Sequence, residues 1–316
     1  MSVWLVGAGS MAQDYGRVLH ALGCEYEAVG RGANSAEQFT AATGHPIRQG
    51  GVTRALHELG APPAAIVAVG VDHLAGVAIE LIEAGTRRLL LEKPGGLGEP
   101  EIRAVRDAAQ RHGARVLLGY NRRFYASTAK VREMIAEDGG LISCVFEFTE
   151  WAHVVAPQPT PAAIKRRWFL ANSTHVVDLA FHLCGLPADW RAWHGGRLDW
   201  HPSAARFSGA GVTDQGVSFS YHADWEAPGR WGLEFLTRKR RLILRPMEQL
   251  QVTALGSVRI EPVVLDDQAD KTFKPGLMKQ TEAFLREADA QFCDIDAQLR
   301  HCVVYEEMAG YGRSDE

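Results

Sequence analysis

The strand-turn-helix pattern at the start of this chain constrains its fold more than any other segment. Val3–Val6 is a short apolar run, Gly7-Ala8-Gly9-Ser10-Met11-Ala12 a turn of small residues, and Gln13–Leu22 reads as a helix. A phosphate-bearing ligand needs a tight turn, a closely approaching backbone and a helix N-terminus aimed at its charge. Gly7 suits the turn, Gly9 leaves room for a pyrophosphate, and Ala12 lets the helix lie close to a sheet. Together with Ser10 and Met11 they form the expected cofactor-binding turn.

The same alternation continues. Glu25–Val29, Ala64–Val69, Arg88–Leu91 and Arg115–Leu118 read as strands, and Ser35–Thr43, Leu74–Glu83 and Glu99–His112 as the helices between them. This order predicts a mostly parallel sheet of about six strands in a first domain spanning 1–120. From Ile142 the pattern changes to longer alternating stretches: Ile142–Thr149, Asp189–Leu198, Gln215–Trp225, Gly232–Thr237, Arg241–Arg245 and Gln249–Leu255. These predict a large, mostly antiparallel open sheet in a second domain, 121–316, with helices at Leu277–Ala288 and Ala297–Met308 returning to brace the junction. The expected class is α/β, an N-terminal Rossmann dinucleotide-binding domain followed by a C-terminal α/β domain.

At 316 residues and 46 % hydrophobic content the chain can fill two cores, and its formal charge of -4 argues against nucleic acid as a partner. The one dense basic run, Arg238-Lys239-Arg240-Arg241, falls between two apolar stretches and reads as a hairpin turn. No leader is expected before the first strand and no apolar run approaches the roughly 18 residues of a membrane span. Five scattered cysteines without a zinc-like pair fit a reducing cytoplasm, and no metal is expected.

Polar residues cluster at the predicted strand ends. After the second strand, Gly30-Arg31 stands where a carboxylate would accept from ribose hydroxyls; Arg31 instead suits a 2′-phosphate, favouring NADP over NAD, with Glu27 facing the ribose as the alternative. Asp72-His73 follows another strand, Asp72 as a helix cap and His73 as a cofactor-cleft residue. Glu92-Lys93-Pro94 follows the Leu89–Leu91 run, so Lys93 can donate to or exchange a proton with a substrate oxygen and Glu92 can orient it, unless the pair is an ordinary strand-end salt bridge. Asn121 and Arg122 are candidate substrate contacts. In Asn172-Ser173-Thr174-His175, with Ser173 as the helix cap, His175, Asp178 and His182 share one helical stripe in which His175 exchanges a proton and Asp178 orients an imidazole. The competing assignment is a hydrogen-bonded internal histidine pair. Asn172 and His182 complete the substrate set. Trp231 and Arg230 are only weak cleft candidates.

In order and spacing, Gly7–Ala12, Glu92-Lys93-Pro94, Asn121-Arg122-Arg123-Phe124 and His175-Val176-Val177-Asp178 resemble the Gfo/Idh/MocA oxidoreductase family over nearly the whole chain. The resemblance implies an NAD(P)-dependent oxidoreductase acting on a hydroxyl or carbonyl carbon of a sugar-like or polyhydroxylated molecule, with Lys93 near the reacting oxygen, His175 as acid/base and His73 by the cofactor. It also implies a homodimer or homotetramer formed through the C-terminal sheet. The family pattern places an aspartate four residues before the histidine and a glycine two before it; here Ala171 and Ser173 stand there. This departure keeps two alternatives in view: an NADPH-dependent imine reductase, and a catalytically silent dinucleotide or sugar sensor.

Overall fold

The computed structural model describes residues Val3–Gly312; the expected start at Met1 and the last four residues of the 121–316 domain lie outside the described residues. In chain order, β1 (Val3–Val6), α1 (Ser10–Ala21), β2 (Tyr26–Val29), α2 (Ala33–Thr43), β3 (Ile47–Arg48) and α3 (Gly51–Leu59) come first. Next are β4 (Ala64–Val67), α4 (Val71–Ala84), β5 (Arg88–Leu91), α5 (Glu99–His112), β6 (Arg115–Leu118) and α6 (Ala126–Glu137). The middle of the chain forms β7 (Ser143–Glu147), α7 (Ala152–Val155), α8 (Ala162–Arg166), α9 (Thr174–Cys184), β8 (Pro187–Gly195), β9 (Arg206–Thr213) and β10 (Ser218–Asp224). Last come β11 (Gly232–Leu236), β12 (Arg240–Leu244), β13 (Gln251–Ala254), β14 (Glu261–Pro262), α10 (Gln268–Thr272), α11 (Leu277–Leu285), β15 (Cys293–Asp294) and α12 (Ile295–Ala309).

The chain divides into two compact units. The first takes residues up to Asn121 and then Ala269–Arg300; the second takes Arg122–Gln268 and the residues from His301 on. The expected bracing helices are thus divided, α11 lying in the first unit and α12 running across the boundary.

In the first unit the sheet has seven strands, not about six, in the order β15-β6-β5-β4-β1-β2-β3. The six N-terminal strands run parallel, and β15 joins antiparallel to β6. All four residues of β1, β4 and β5 are buried, which a parallel sheet covered on both faces requires. Helix α1 buries Ala12, Tyr15, Gly16, Val18 and Leu19, one stripe at helical spacing. It begins at Ser10, three residues earlier than its apolar pattern suggests. The order of strands reverses between β1 and β4, and in open α/β sheets the crevice at such a reversal is where ligands bind.

In the second unit the sheet has eight strands, β14-β13-β12-β11-β7-β10-β9-β8, antiparallel except for the β7/β10 pair. Strand β9 escapes the sequence pattern because its inward positions include Gly209 and Gly211, where a Cβ would overlap the Tyr221 ring and the Trp190 and Asp189 backbone. Phe146, Phe148, Phe169, Phe207, Tyr221 and Trp225 form a continuous aromatic core against that face. The basic run makes the expected hairpin between β11 and β12, with Arg240 tied to Asp138 and Glu137. Among the described residues no helix is long and apolar enough to cross a membrane.

Two histidines of the second unit carry depressed pKa values. Burial, then the charge of Arg123, pushes His182 down to about 3; burial pushes His201 down to about 4, against the opposing bond from its ring to the Ala204 carbonyl. The unfolded chain protonates each near pH 6.5, whereas the folded chain resists. Stability should therefore fall as pH drops from about 6.5, by up to about 1.4 kcal/mol per pH unit for each ring. Urea denaturation between about pH 7 and pH 5 should show this slope, and His182→Gln should lower it by about one proton; an unchanged slope would refute the assignment.

Candidate functional site

In the first unit a cavity of about 920 Å³ opens at the end of β1, bordered among others by Gly7, Gly9, Ser10, Met11, Arg31 and His73. The two glycines of the turn differ in kind. Gly7 has φ +133, and a Cβ there would overlap the Ala68 carbonyl of the neighbouring β4 chain. Gly9 has φ -75, a conformation open to any residue, and a Cβ there would meet no protein atom within 4 Å. Nothing in the protein requires a glycine at position 9; the space beside it suits a ligand. Gly9 is also the N-cap of α1, whose N-terminus no side chain caps. The donors and the positive end of the helix dipole therefore face that space, as an anion requires. Ala12 is fully buried and lies 3.4 Å from where a Gly7 Cβ would stand, so it supports the turn from behind and does not line the cavity.

At the rim, Arg31 Nη2 lies 3.3 Å from His73 Nε2, which must accept because a guanidinium only donates. Glu27 does not face the cavity: its carboxylate pairs with Arg48 at 3.1 Å. Asp72 makes no capping bond; α4 starts at Val71 after Gly70, with Asp72 in its first turn, where it complements the dipole.

Glu92 and Lys93, which the sequence also offers as cofactor-binding residues, follow β5 and are not among the residues that border this cavity. Glu92 is buried, and Tyr15 donates to its Oε1 at 2.7 Å while Gln280 donates to the Tyr15 hydroxyl at 2.7 Å. Burial, then the Glu92 charge, raises the Tyr15 pKa well above its ordinary value, which keeps the phenol a donor. Gly119 leaves room for this carboxylate, since a Cβ there would stand 2.8 Å from Glu92 Oε1. Lys93 is half-buried on a loop pinned by Gln298, which donates to the Pro94 carbonyl at 2.9 Å. Asn121, an expected substrate contact, is buried and donates to the Pro275 carbonyl at 2.9 Å.

The second unit presents a separate polar group around the start of α9. Arg122 Nη1 lies 2.9 Å from His175 Nε2. With a guanidinium as donor, the imidazole is neutral, its proton on Nδ1 and its Nε2 lone pair turned to Arg122. Ser173 does not cap α9; a π-helical turn, Phe169–Ser173, runs directly into it, and the Ser173 hydroxyl donates to Glu150 at 2.7 Å. Asn172 Nδ2 also reaches both Glu150 oxygens at 3.0 Å. Glu150, 2 % exposed, is thus a buried carboxylate fastened to the turn that carries His175. Burial raises its pKa, with the bonds from Ser173 and Asn172 opposing. Sequence reasoning missed it, because only the fold brings β7's end beside that turn.

The expected stripe of His175, Asp178 and His182 is not a unit. Asp178 is buried and grips Arg123 at 2.6 and 2.8 Å, and the imidazole beside it is His301 of α12, at 3.8 Å. Burial alone would raise the Asp178 pKa, but the Arg123 charge and bonds hold it well below the usual carboxylate range. Among the described residues His182 Nε2 has no hydrogen-bond partner, and its ring stays neutral.

No protein-family model matches the chain, and no curated protein matches it in sequence. Solved structures do. UDP-N-acetylglucosamine 3-dehydrogenase from Acidithiobacillus ferrooxidans is 19 % identical, over 98 % of this chain and 97 % of that one, with a TM-score of 0.75. Levoglucosan dehydrogenase in complex with NADH is 15 % identical, over 98 % and 96 %, with a TM-score of 0.79. An NAD-binding oxidoreductase from Klebsiella pneumoniae is 15 % identical, over 99 % and 97 %, with a TM-score of 0.78. At these identities the likeness is one of fold: a Rossmann-type unit followed by an α/β unit on a large open sheet.

Replacing Arg123 by Met would strand Asp178 as a buried, unpaired charge, and should cost about 3–5 kcal/mol in urea denaturation. Asp178→Asn added to that variant should recover part of the loss. A cost below about 1 kcal/mol would show that the pair is not structural.

Proposed function

We propose that the protein is an NAD(P)-dependent oxidoreductase acting on a hydroxyl or carbonyl carbon of a sugar-like substrate. The observation that carries this is Gly9, a glycine that no neighbouring protein atom requires, at the uncapped start of α1 beside a 920 Å³ cavity. The turn residues fit a pyrophosphate, and Arg31, with Gly32 and Ser35 beside it, fits a 2′-phosphate. Gly30-Arg31-Gly32 after β2 carry no carboxylate to compete for the ribose, and Glu27 within the strand is engaged by Arg48, which favours NADP over NAD.

When bound, the nicotinamide supplies hydride transfer to or from a substrate carbon. The chain's own residues must move the accompanying proton. His175, neutral with Nε2 held by Arg122, is a base able to accept a proton at that nitrogen once the arginine yields it. Lys93, on its pinned loop, is the ammonium donor to the substrate oxygen. The fold neighbours named as sugar dehydrogenases support this substrate class. The reading extends to a homo-oligomer through the eight-stranded sheet, whose outer face leaves Val145, Trp193 and Val212 exposed.

NADPH and NADH fluorescence titrations test the cofactor assignment. NADPH should bind more tightly, Arg31→Ala should weaken NADPH by about tenfold with little effect on NADH, and Gly9→Val should abolish both without lowering the melting temperature. No binding of either dinucleotide would overturn the proposal.

Turnover should then be screened against sugar alcohols, sugar ketones and cyclic imines. Lys93→Met should lower turnover at least about a hundredfold with dinucleotide affinity unchanged. Retained turnover would remove Lys93 from the chemistry, reduction of imines alone would favour the imine reductase, and binding without turnover the sensor.

A further inference from the structure

Beside the Arg122/His175 pair stands an aromatic and cationic arrangement that none of the functions above uses. The Arg230 guanidinium lies over two indoles, 4.9 Å from the Trp151 ring centre and 5.1 Å from that of Trp231. Arg122 lies over the same Trp231 ring at 5.3 Å and over Tyr125 at 5.9 Å. Trp231 is in turn 6.0 Å from the His175 ring. Two permanent cations thus flank one indole, and one of them bonds the proposed base.

Arg230 is exposed, yet the acids near it are spoken for. Glu147 uses Oε2 on Arg245 at 2.8 Å and Oε1 on the Arg230 main-chain N–H at 3.2 Å. Glu150, whose carboxyl feels the Arg230 charge, is fastened by Asn172 and Ser173. Among the described residues no carboxylate forms an ion pair with the Arg230 guanidinium. The loop itself is built to hold this position: a Cβ at Gly229 would stand 2.5 Å from Glu147 Oε1, and Trp151 Nε1 donates to the Gly229 carbonyl at 2.9 Å. Packing on two rings limits the rotamers of a long side chain before any ligand arrives, so less entropy is lost on binding. A planar guanidinium left with open donor edges is suited to a carboxylate or phosphate.

We propose that Arg230, with Arg122 and the indoles of Trp151 and Trp231, binds an anionic group on the substrate, so that the substrate is a negatively charged polyhydroxylated molecule and not a neutral sugar. This rests on the oxidoreductase reading for its place in catalysis, but the binding itself does not need the dinucleotide.

The test uses the full-length protein without dinucleotide and follows tryptophan fluorescence and calorimetry on titration with D-glucuronate, D-glucose 6-phosphate, D-glucose and inorganic phosphate. An anionic sugar should bind at least about tenfold more tightly than glucose, and more weakly at high salt. Glucuronate ahead of the phosphate ester would identify a carboxylate, the reverse a phosphate. Arg230→Met should erase the preference while NADPH titration and thermal melting stay as in the parent, and Arg230→Lys should restore part of it. Equal affinity for glucose, no response to any anionic sugar, a response to inorganic phosphate alone, or an unchanged preference in Arg230→Met would each overturn the proposal. Loss of NADPH binding in the parent protein would sink the oxidoreductase reading while leaving these outcomes intact.

Discussion

The contact on which the first unit depends is the approach of two backbones at the point where strand order reverses. Gly7 leaves β1 with φ +133 so close to the Ala68 carbonyl of the β4 chain that no side chain fits between them. The Gly7 N–H donates to Val29 and the Ala68 N–H to Val6, so the ladder continues to the lip of the crevice. That closeness brings the start of α1 over the strand ends, and Ala12, small and fully buried, is what lets the helix stay there. A cavity lined by both the turn and Arg31 follows from those contacts more than from any single polar residue.

A second constraint is the cost of buried charge. Glu92 and Asp178 both sit below 9 % exposure, and each is matched by donors brought from distant sequence: Tyr15 with Gln280 behind it, and Arg123. A carboxylate taken out of water without such partners would be protonated or would unfold its surroundings. Glu92 is the neighbour of Lys93 and Arg123 the neighbour of Arg122, so each network fixes the backbone directly beside a proposed functional residue.

What could be read from the sequence was what local patterning controls. The turn at Gly7–Ala12, the strands β1, β4, β5 and β6, and the β11/β12 hairpin each carry a periodicity or punctuation that survives in the fold. Strand β9 was not legible, because its glycines serve partners on β10 and β8 and break the apolar alternation. Residue type located the polar candidates, but their partners were long-range. Asp178 looked like an orienter of its own helix's histidines; its arginine comes from 55 residues upstream. Asn121 looked like a substrate contact, and its amide is committed to a carbonyl 154 residues away.

Glu150 shows the same limit and what can be recovered from it. The resemblance places a carboxylate four residues before His175, where this chain has Ala171, and its absence weakened the expectation of alcohol chemistry. The fold returns a carboxylate to that turn from another element. Glu150 accepts from Asn172 and Ser173, the residues that lead into α9, and so holds the turn through two side chains instead of contributing a charge from within it. The Asn172 amide points its Nδ2 toward both Glu150 oxygens. The carboxylate beside the turn is thereby occupied by side-chain donors from the residues that lead into α9.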